Sequence, residues 1–169
     1  MGTPCQANAM WHACFPAMTV VPNFTVTGVL AITVSLIALV WAAVFIRRKN
    51  GGLILIILSI LMLLTGAGFI PPFTGIIAGF CGSRINAPLP IWRSRPAIRG
   101  LSFLAKLWPW TLFVFVGWSL SEWILGFFFN QVMIQFSLIL FFSGNLGLPV
   151  LTAVTGFAHD IHRDHIVDK

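Results

Sequence analysis

The stretch GAGFIPPFTGIIAGFCGSR, residues 66–84, lies within an apolar segment that is long for one membrane crossing. Residues 53–83 are 31 apolar or small residues, which as one helix would extend about 46 Å. One hydrocarbon core is roughly 30 Å thick, so this length is short for two crossings. The helix breakers near the middle are Gly66, Gly68, Pro71 and Pro72. Because proline inside a helix costs about 3 kcal/mol, we predict an interruption at Pro71-Pro72.

The rest of the chain is typical of helical membrane proteins. Charged residues make up 8% of the 169 residues, against about a quarter in soluble domains, and the mean hydropathy is +0.95. Four long segments carry almost no charge: 24–46, 53–80, 107–129 and 132–157. Each is long enough to cross a bilayer. We therefore predict an all-α integral membrane protein with three to four transmembrane helices and an interrupted second segment.

The sequence divides into successive parts of a single membrane domain, residues 1–169. In order they are a non-cytoplasmic N-terminal segment (1–23), a first span (24–46), a second span or re-entrant hairpin (53–83), a basic interfacial segment (84–106), a third span (107–129), a fourth span (132–157) and a polar, His-rich tail (158–169). The short loop between the last two spans predicts a helical hairpin that folds about Asn130. Within the interfacial segment, we expect a short amphipathic helix from Ala97 in the headgroup region.

The distribution of basic residues bears on whether residues 53–83 cross the membrane. Residues 1–23 contain no Lys or Arg, whereas Arg47, Arg48 and Lys49 follow the first span. The positive-inside rule therefore places the N-terminus on the non-cytoplasmic side of an integral, multi-pass protein. One crossing would leave the basic residues of 84–106 outside, whereas a re-entrant hairpin keeps all 10 Lys and Arg residues inside. Charge favours the hairpin, and the alternative is a single span kinked at its prolines.

Small and basic residues predict what these segments contact. A re-entrant turn needs protein around it, and Gly75 and Gly79 form a close-packing Gly-x3-Gly pattern. Four cations near tryptophans are expected to bind anionic lipid headgroups, namely Arg93, Arg95, Arg99 and Lys106. Because anchoring at the membrane interface explains this mixture, nucleic acid is not an expected partner. The expected partners are the lipid bilayer, its anionic headgroups, and other membrane subunits or further copies of the chain.

Glu122 is the only acidic residue inside an apolar segment. A carboxylate is costly there, so Glu122 should be protonated, or paired with a cation or a strong hydrogen-bond donor. Folding about Asn130 would place it opposite Leu138, with Gln135 and Ser137 as partners; Asn145 is a further polar residue of the fourth span. One interpretation is a hydrogen bond that joins two helices, and the other is a titrating group on a proton or ion path. A transporter usually has several such groups, which favours the first interpretation.

Two clusters outside the spans are candidates for redox or metal chemistry. Cys5 and Cys14 precede the first span, and their spacing permits a disulfide but is not the Cys-x-x-Cys of thiol oxidoreductases. In the tail, a histidine occurs at every third position: His159, His162 and His165. On a continuing helix this spacing permits a metal site, and the alternative is a solvated helix end.

The sequence contains no recognisable catalytic constellation. It has no Walker loop, no dinucleotide fingerprint, no HExxH and no Gly-x-Ser-x-Gly pattern, and we expect no cofactor. We therefore predict a non-enzymatic multi-pass protein that is a structural or assembly subunit of a membrane complex. One alternative is a small channel or proton-coupled transporter that uses Glu122. A second alternative is a membrane thiol/disulfide redox protein that uses Cys5 and Cys14.

Overall fold

The computed structural model describes residues 19–21, 23–84 and 99–167. All the regular elements in these ranges are helices, as predicted. Three of them are long and apolar enough to cross a membrane: Thr25–Phe45, Ser102–Phe128 and Ser137–Arg163. Residues 53–83, which were predicted as a second span or a re-entrant hairpin, are not among these three.

The first span begins at a capped helix end. α1 is Phe24–Val40, and the side chain of Asn23 accepts hydrogen bonds from the backbone N–H groups of Thr25 (3.1 Å) and Val26 (3.3 Å). This is the usual role of asparagine at an N-cap. α1 continues as a π-helix, π1, over Trp41–Phe45. A hydrogen bond of 3.0 Å from Trp41 Nε1 to the carbonyl of Gly51 ties this end to the next helix.

Residues 51–84 form an antiparallel helical hairpin. Its limbs are α2, Gly51–Leu64, and α3, Ile70–Arg84. Residues early in α2 contact residues late in α3, and the contacting pairs are Gly52 with Ser83, Ile56 with Gly79, and Ser59 with Gly75. The two ends of the segment therefore lie together, as the hairpin interpretation requires and a kinked single span does not.

The interruption lies within the predicted cluster of helix breakers, at its two glycines. Gly66 (φ 84°) and Gly68 (φ 80°) have left-handed backbone conformations in the turn between α2 and α3. Glycine adopts this conformation readily because it has no Cβ. Pro71 and Pro72 lie in the first turn of α3, where a missing N–H removes no hydrogen bond within the helix. The glycines therefore make the turn, and Pro71 and Pro72, to which the interruption was assigned, belong to the start of α3.

Each end of the hairpin contacts a different end of the first span. At the turn, Thr65 pairs with Thr19 across an isolated β-bridge, and Val20 N donates to Leu64 O at 3.2 Å. At the open end, Gly51 lies against the carbonyls of Phe45 and Ile46. Between the two ends, α1 and α2 share a small apolar cluster of Ala38, Leu55 and Met62. The hairpin therefore runs along most of the first span, with its open end beside residues 47–49.

The third span is part of one long helix. α4 covers Arg99–Phe128, 30 residues with Pro109 inside, and so extends about 45 Å. Its first turns contain residues of the short amphipathic helix predicted from Ala97. That helix is present from Arg99 onward but continues into the third span, and its place in the headgroup region stays a prediction. Leucine, alanine and lysine in this stretch favour helix, and neighbouring helices can compensate for the one donor that a proline removes.

The fourth span and the connection before it comprise four helical elements. They are α5 (Asn130–Gln135), α6 (Ser137–Leu140), a second π-helix π2 (Phe141–Gly147) and α7 (Leu148–Val167). Phe129 and Phe136, on either side of α5, have non-helical backbone angles. Because α5 fills the connection, the helix pair does not fold about Asn130. Two contacting pairs locate the turn: Trp108 with His159, and Glu122 with Asn145. The midpoint in sequence of each pair lies between residues 133 and 134.

The main helix contacts follow a single path through the molecule. α1 packs on α2, α2 on α3, α3 on α7, and α7 on α4, with π2 contacting α3 and α4. The most extensive contacts are those within the hairpin and those between α4 and α7. The described helices therefore form an open row with α1 near one edge and α4 near the other.

Candidate functional site

Glu122 and Asn145 form a hydrogen-bonded pair between α4 and π2. Nδ2 of Asn145 donates to Oε1 of Glu122 at 2.7 Å, and the two residues are only 5% and 7% exposed. The strong donor expected beside Glu122 is therefore this amide. Gln135 is exposed on α5 and Ser137 begins α6, so the predicted pairing of either with Glu122 was wrong. The actual partner is seven positions beyond Leu138, about two helical turns further along the chain.

Trp118 lies one turn before Glu122 and contributes a second N–H group. Its Nε1 faces the Glu122 carboxyl but lies outside hydrogen-bond geometry. This nitrogen is buried and has no hydrogen-bond partner among the described residues. The indole lies against Gly144, where an added Cβ would collide with Nε1. Two N–H groups therefore face one carboxyl, one from each helix.

Two consecutive residues of π2 contact the same neighbouring helix. Gly144 contacts Trp118 and Asn145 contacts Glu122, so both face α4. Short π-helical segments within α-helices occur frequently at functional sites. Glycine at position 144 leaves the space that the indole occupies.

A second polar contact lies further along the α4–α7 interface. The hydroxyls of Thr111 and Thr155 are 2.8 Å apart, and Thr152 Oγ1 donates to the carbonyl of Thr111 at 3.3 Å. Thr155 is completely buried. These threonines were not predicted as site residues from the sequence. The spacing of Thr152 and Thr155 on an otherwise apolar helix was the available signal, because residues three apart share a helix face.

The His-rich tail begins at the same helix interface. The ring of His159 stacks on Trp108, with centroids 5.1 Å apart, and its Nδ1 is 3.7 Å from Asp160 Oδ1. His162 is half-buried on α7, and the side chain of His165 lies outside the described part of the chain. Among the described residues, no group of three or more His, Cys, Asp or Glu side chains is arranged to hold a metal. A metal site that includes His165 stays a prediction.

Several other predicted site residues are only partly within the described structure. Cys5, Cys14, Arg93 and Arg95 lie outside it, so the disulfide and most of the headgroup site stay predictions. Arg99 begins α4, and Lys106 is exposed on the same helix. At the open end of the hairpin, Arg48 lies over the Phe45 ring at 4.8 Å and Arg84 over the Phe80 ring at 5.5 Å. These side chains bring positive charge to that end.

Comparison with known proteins gives no guide to the role of this site. No protein-family model matches the chain, and no curated protein or solved structure is similar to it.

Proposed function

We propose that the chain is a non-enzymatic structural subunit of a membrane assembly. The observation that carries this proposal is the open row of helices α1, α2, α3, α7 and α4. Most of the large apolar side chains on this row are exposed, and α1 has the smallest buried share of the three candidate spans. A transporter encloses its path between helices, whereas an open row presents faces and edges that lipid or another subunit can cover.

The buried polar groups also support a packing role. Glu122 bonds to Asn145, and Thr111 to Thr155, so these side chains join α4 to the fourth span. Interhelical hydrogen bonds in membranes contribute about 0.6 kcal/mol on average and up to about 1.7 kcal/mol. Such bonds fix which helix faces meet, as a subunit with a defined surface requires.

The assembly role is tested by mass and by crosslinking. After extraction in a mild detergent, native mass spectrometry is expected to find complexes heavier than one 18.6-kDa chain. A photoreactive group attached to a cysteine at Leu36, on the exposed edge of α1, is expected to crosslink a protein partner. Ala38→Cys is the matched control, because α2 covers that position. A single-chain mass in every detergent, with no protein adduct at position 36, contradicts the proposal.

The hairpin in this subunit enters the membrane from the side of Arg47, Arg48 and Lys49, opposite the N-terminus. Its limbs of 14 and 15 residues reach about 21 Å and 22 Å, and the turn between them meets Thr19 and Val20 just before α1. Arg84 ends α3 at the same open end, so the positive charges of the two connections lie together. The positive-inside rule makes this end cytoplasmic and the N-terminus non-cytoplasmic.

Thiol labelling in sealed vesicles tests this orientation. Single cysteines replace Lys49, Ser83 and Val20 in a chain without Cys5, Cys14 and Cys81, and are exposed to a reagent that cannot cross the membrane. We expect positions 49 and 83 to react from one side and position 20, which precedes α1, from the other. Reaction of positions 83 and 20 from the same side would show that residues 51–84 cross the membrane.

A further inference from the structure

We propose that Glu122 is a proton-binding site, at which the carboxyl binds and releases a proton while it stays hydrogen-bonded to Asn145. The described surroundings suit the ionised form, because a carboxylate only accepts hydrogen bonds. Asn145 Nδ2 donates to Oε1 at 2.7 Å, and Trp118 Nε1 faces the same carboxyl. Hydrogen bonds to a charged acceptor are about twice as strong as those between neutral groups.

The amide of Asn145 also suits the protonated form. An asparagine side chain has an NH2 donor at one position and a carbonyl acceptor at the other. Rotation of the amide by half a turn exchanges Nδ2 for Oδ1, which then accepts the O–H of a protonated carboxyl. A lysine or arginine at position 145 would satisfy only the carboxylate, because those side chains have no acceptor. Asparagine is therefore a partner for a carboxyl that changes its charge.

The hydrogen-bond partner leaves the charge of a carboxylate uncompensated. Asn145 on π2 and Trp118 on α4 are both neutral. The titratable residues described on α7, within 159–163, are fourteen or more positions from Asn145, about 21 Å along the helix. α3 packs on π2 and α7 and carries Cys81 and Arg84 near the open end of the hairpin. An uncompensated charge in a water-poor site is costly, and proton uptake removes it.

The chemical step is a simple protonation. A proton from bulk water binds one carboxylate oxygen and returns to water on release, and no other bond forms or breaks. This site is independent of the assembly role, because the chain can contain a titrating pair whether or not it assembles with other subunits. The two proposals therefore fail separately.

Selective isotope labelling reports this carboxyl directly, because Glu122 is the only glutamate in the chain. The full chain, synthesised in a cell-free system with ¹³C-glutamate and reconstituted in lipid, is followed by NMR from about pH 4 to about pH 9. We expect the single side-chain carboxyl signal to move from the protonated to the ionised position, and to be absent in Glu122→Gln. A signal that keeps one position over the whole range overturns the proposal.

Variants of the two N–H donors test the geometry. At the midpoint pH of the native chain, Asn145→Leu is expected to lower the ratio of carboxylate to acid about tenfold, because the carboxylate loses a charge-assisted hydrogen bond. Trp118→Phe, which keeps an aromatic ring, is expected to lower the ratio by less. Thr155→Ala in the same interface is the control and should leave the ratio unchanged. An unchanged ratio in Trp118→Phe and in any folded Asn145→Leu protein would show that these donors do not set the titration.

Discussion

Replacing Gly52 by valine is expected to keep the α2–α3 hairpin from closing. A Cβ at this position would collide with the backbone of Ser83, Gly79 and Gly82. Backbone atoms cannot rotate away as a side chain can, so the limbs would have to separate. Overpacking a well-packed site typically costs about 1–3 kcal/mol, and we expect a loss of about 3 kcal/mol here because the clash is with backbone. Unfolding in mixed detergent micelles, followed by circular dichroism, measures the loss.

Two other glycines provide matched controls for this substitution. A Cβ on Gly28 in α1, or on Gly117 in α4, would meet no atom within 4 Å. Gly28→Val and Gly117→Val should therefore keep nearly native stability. Gly79→Ala is expected to show an intermediate loss, since its Cβ would lie 2.7 Å from the Gly52 carbonyl oxygen. Equal stability of Gly52→Val and Gly28→Val would mean that the limbs do not pack at this distance.

Replacing both members of the Glu122–Asn145 pair is expected to destabilise the α4–π2 contact by less than the sum of the two single replacements. Glu122→Leu leaves the buried Asn145 amide without this partner, and Asn145→Leu leaves the buried Glu122 carboxyl without this donor. Each unsatisfied group costs about 1–3 kcal/mol, whereas two apolar side chains can pack without this cost. The double variant should therefore be more stable than the sum of the single losses implies, by roughly 0.6–1.7 kcal/mol.

The same unfolding measurement, made on the native chain, the two single variants and the double variant, completes a double-mutant cycle. Ser119→Ala is the control, because Ser119 Oγ donates to Phe115 O within its own helix at 2.9 Å and joins no other helix. It should change stability by less than about 0.5 kcal/mol. Strictly additive losses for Glu122→Leu and Asn145→Leu would show that the two side chains do not interact across the interface.

Composition and charge were enough to predict the helical membrane class and the presence of a break within residues 53–83. The exact position of the break was not predictable from breaker strength alone. Proline has the larger penalty inside a helix, but it is tolerated in a first turn, where α3 places Pro71 and Pro72. The turn needs positive φ angles, which Gly66 and Gly68 provide. Sequence shows which residues can break a helix but not which of them the chain uses.

Which residue pairs with Glu122 depends on the register between α4 and the fourth span, and this register could not be determined from the sequence. Asn130 and Gln131 have the character of a short polar loop, yet they begin the helix α5. That one short helix moves the centre of the pair from Asn130 to a point between residues 133 and 134. Moving the centre by 3.5 residues moves each expected partner by seven residues, about two helical turns, so every expected contact is replaced. Asn145 was recognised as a polar residue of the span, but its partner could not be identified.

The contacts within the α2–α3 hairpin also determine the order in which the nascent chain folds. They join residues close in sequence, from Ser59 with Gly75 to Gly52 with Ser83, so closing them costs little chain entropy. Each limb, of 14 and 15 residues, is shorter than the roughly 30 Å of hydrocarbon, so we expect both to enter the membrane as one unit. When residue 84 leaves the ribosome and its exit tunnel, the first span and the hairpin can already be complete. The α4–α7 pair, which needs residues up to 159, must dock onto a preformed edge at α3.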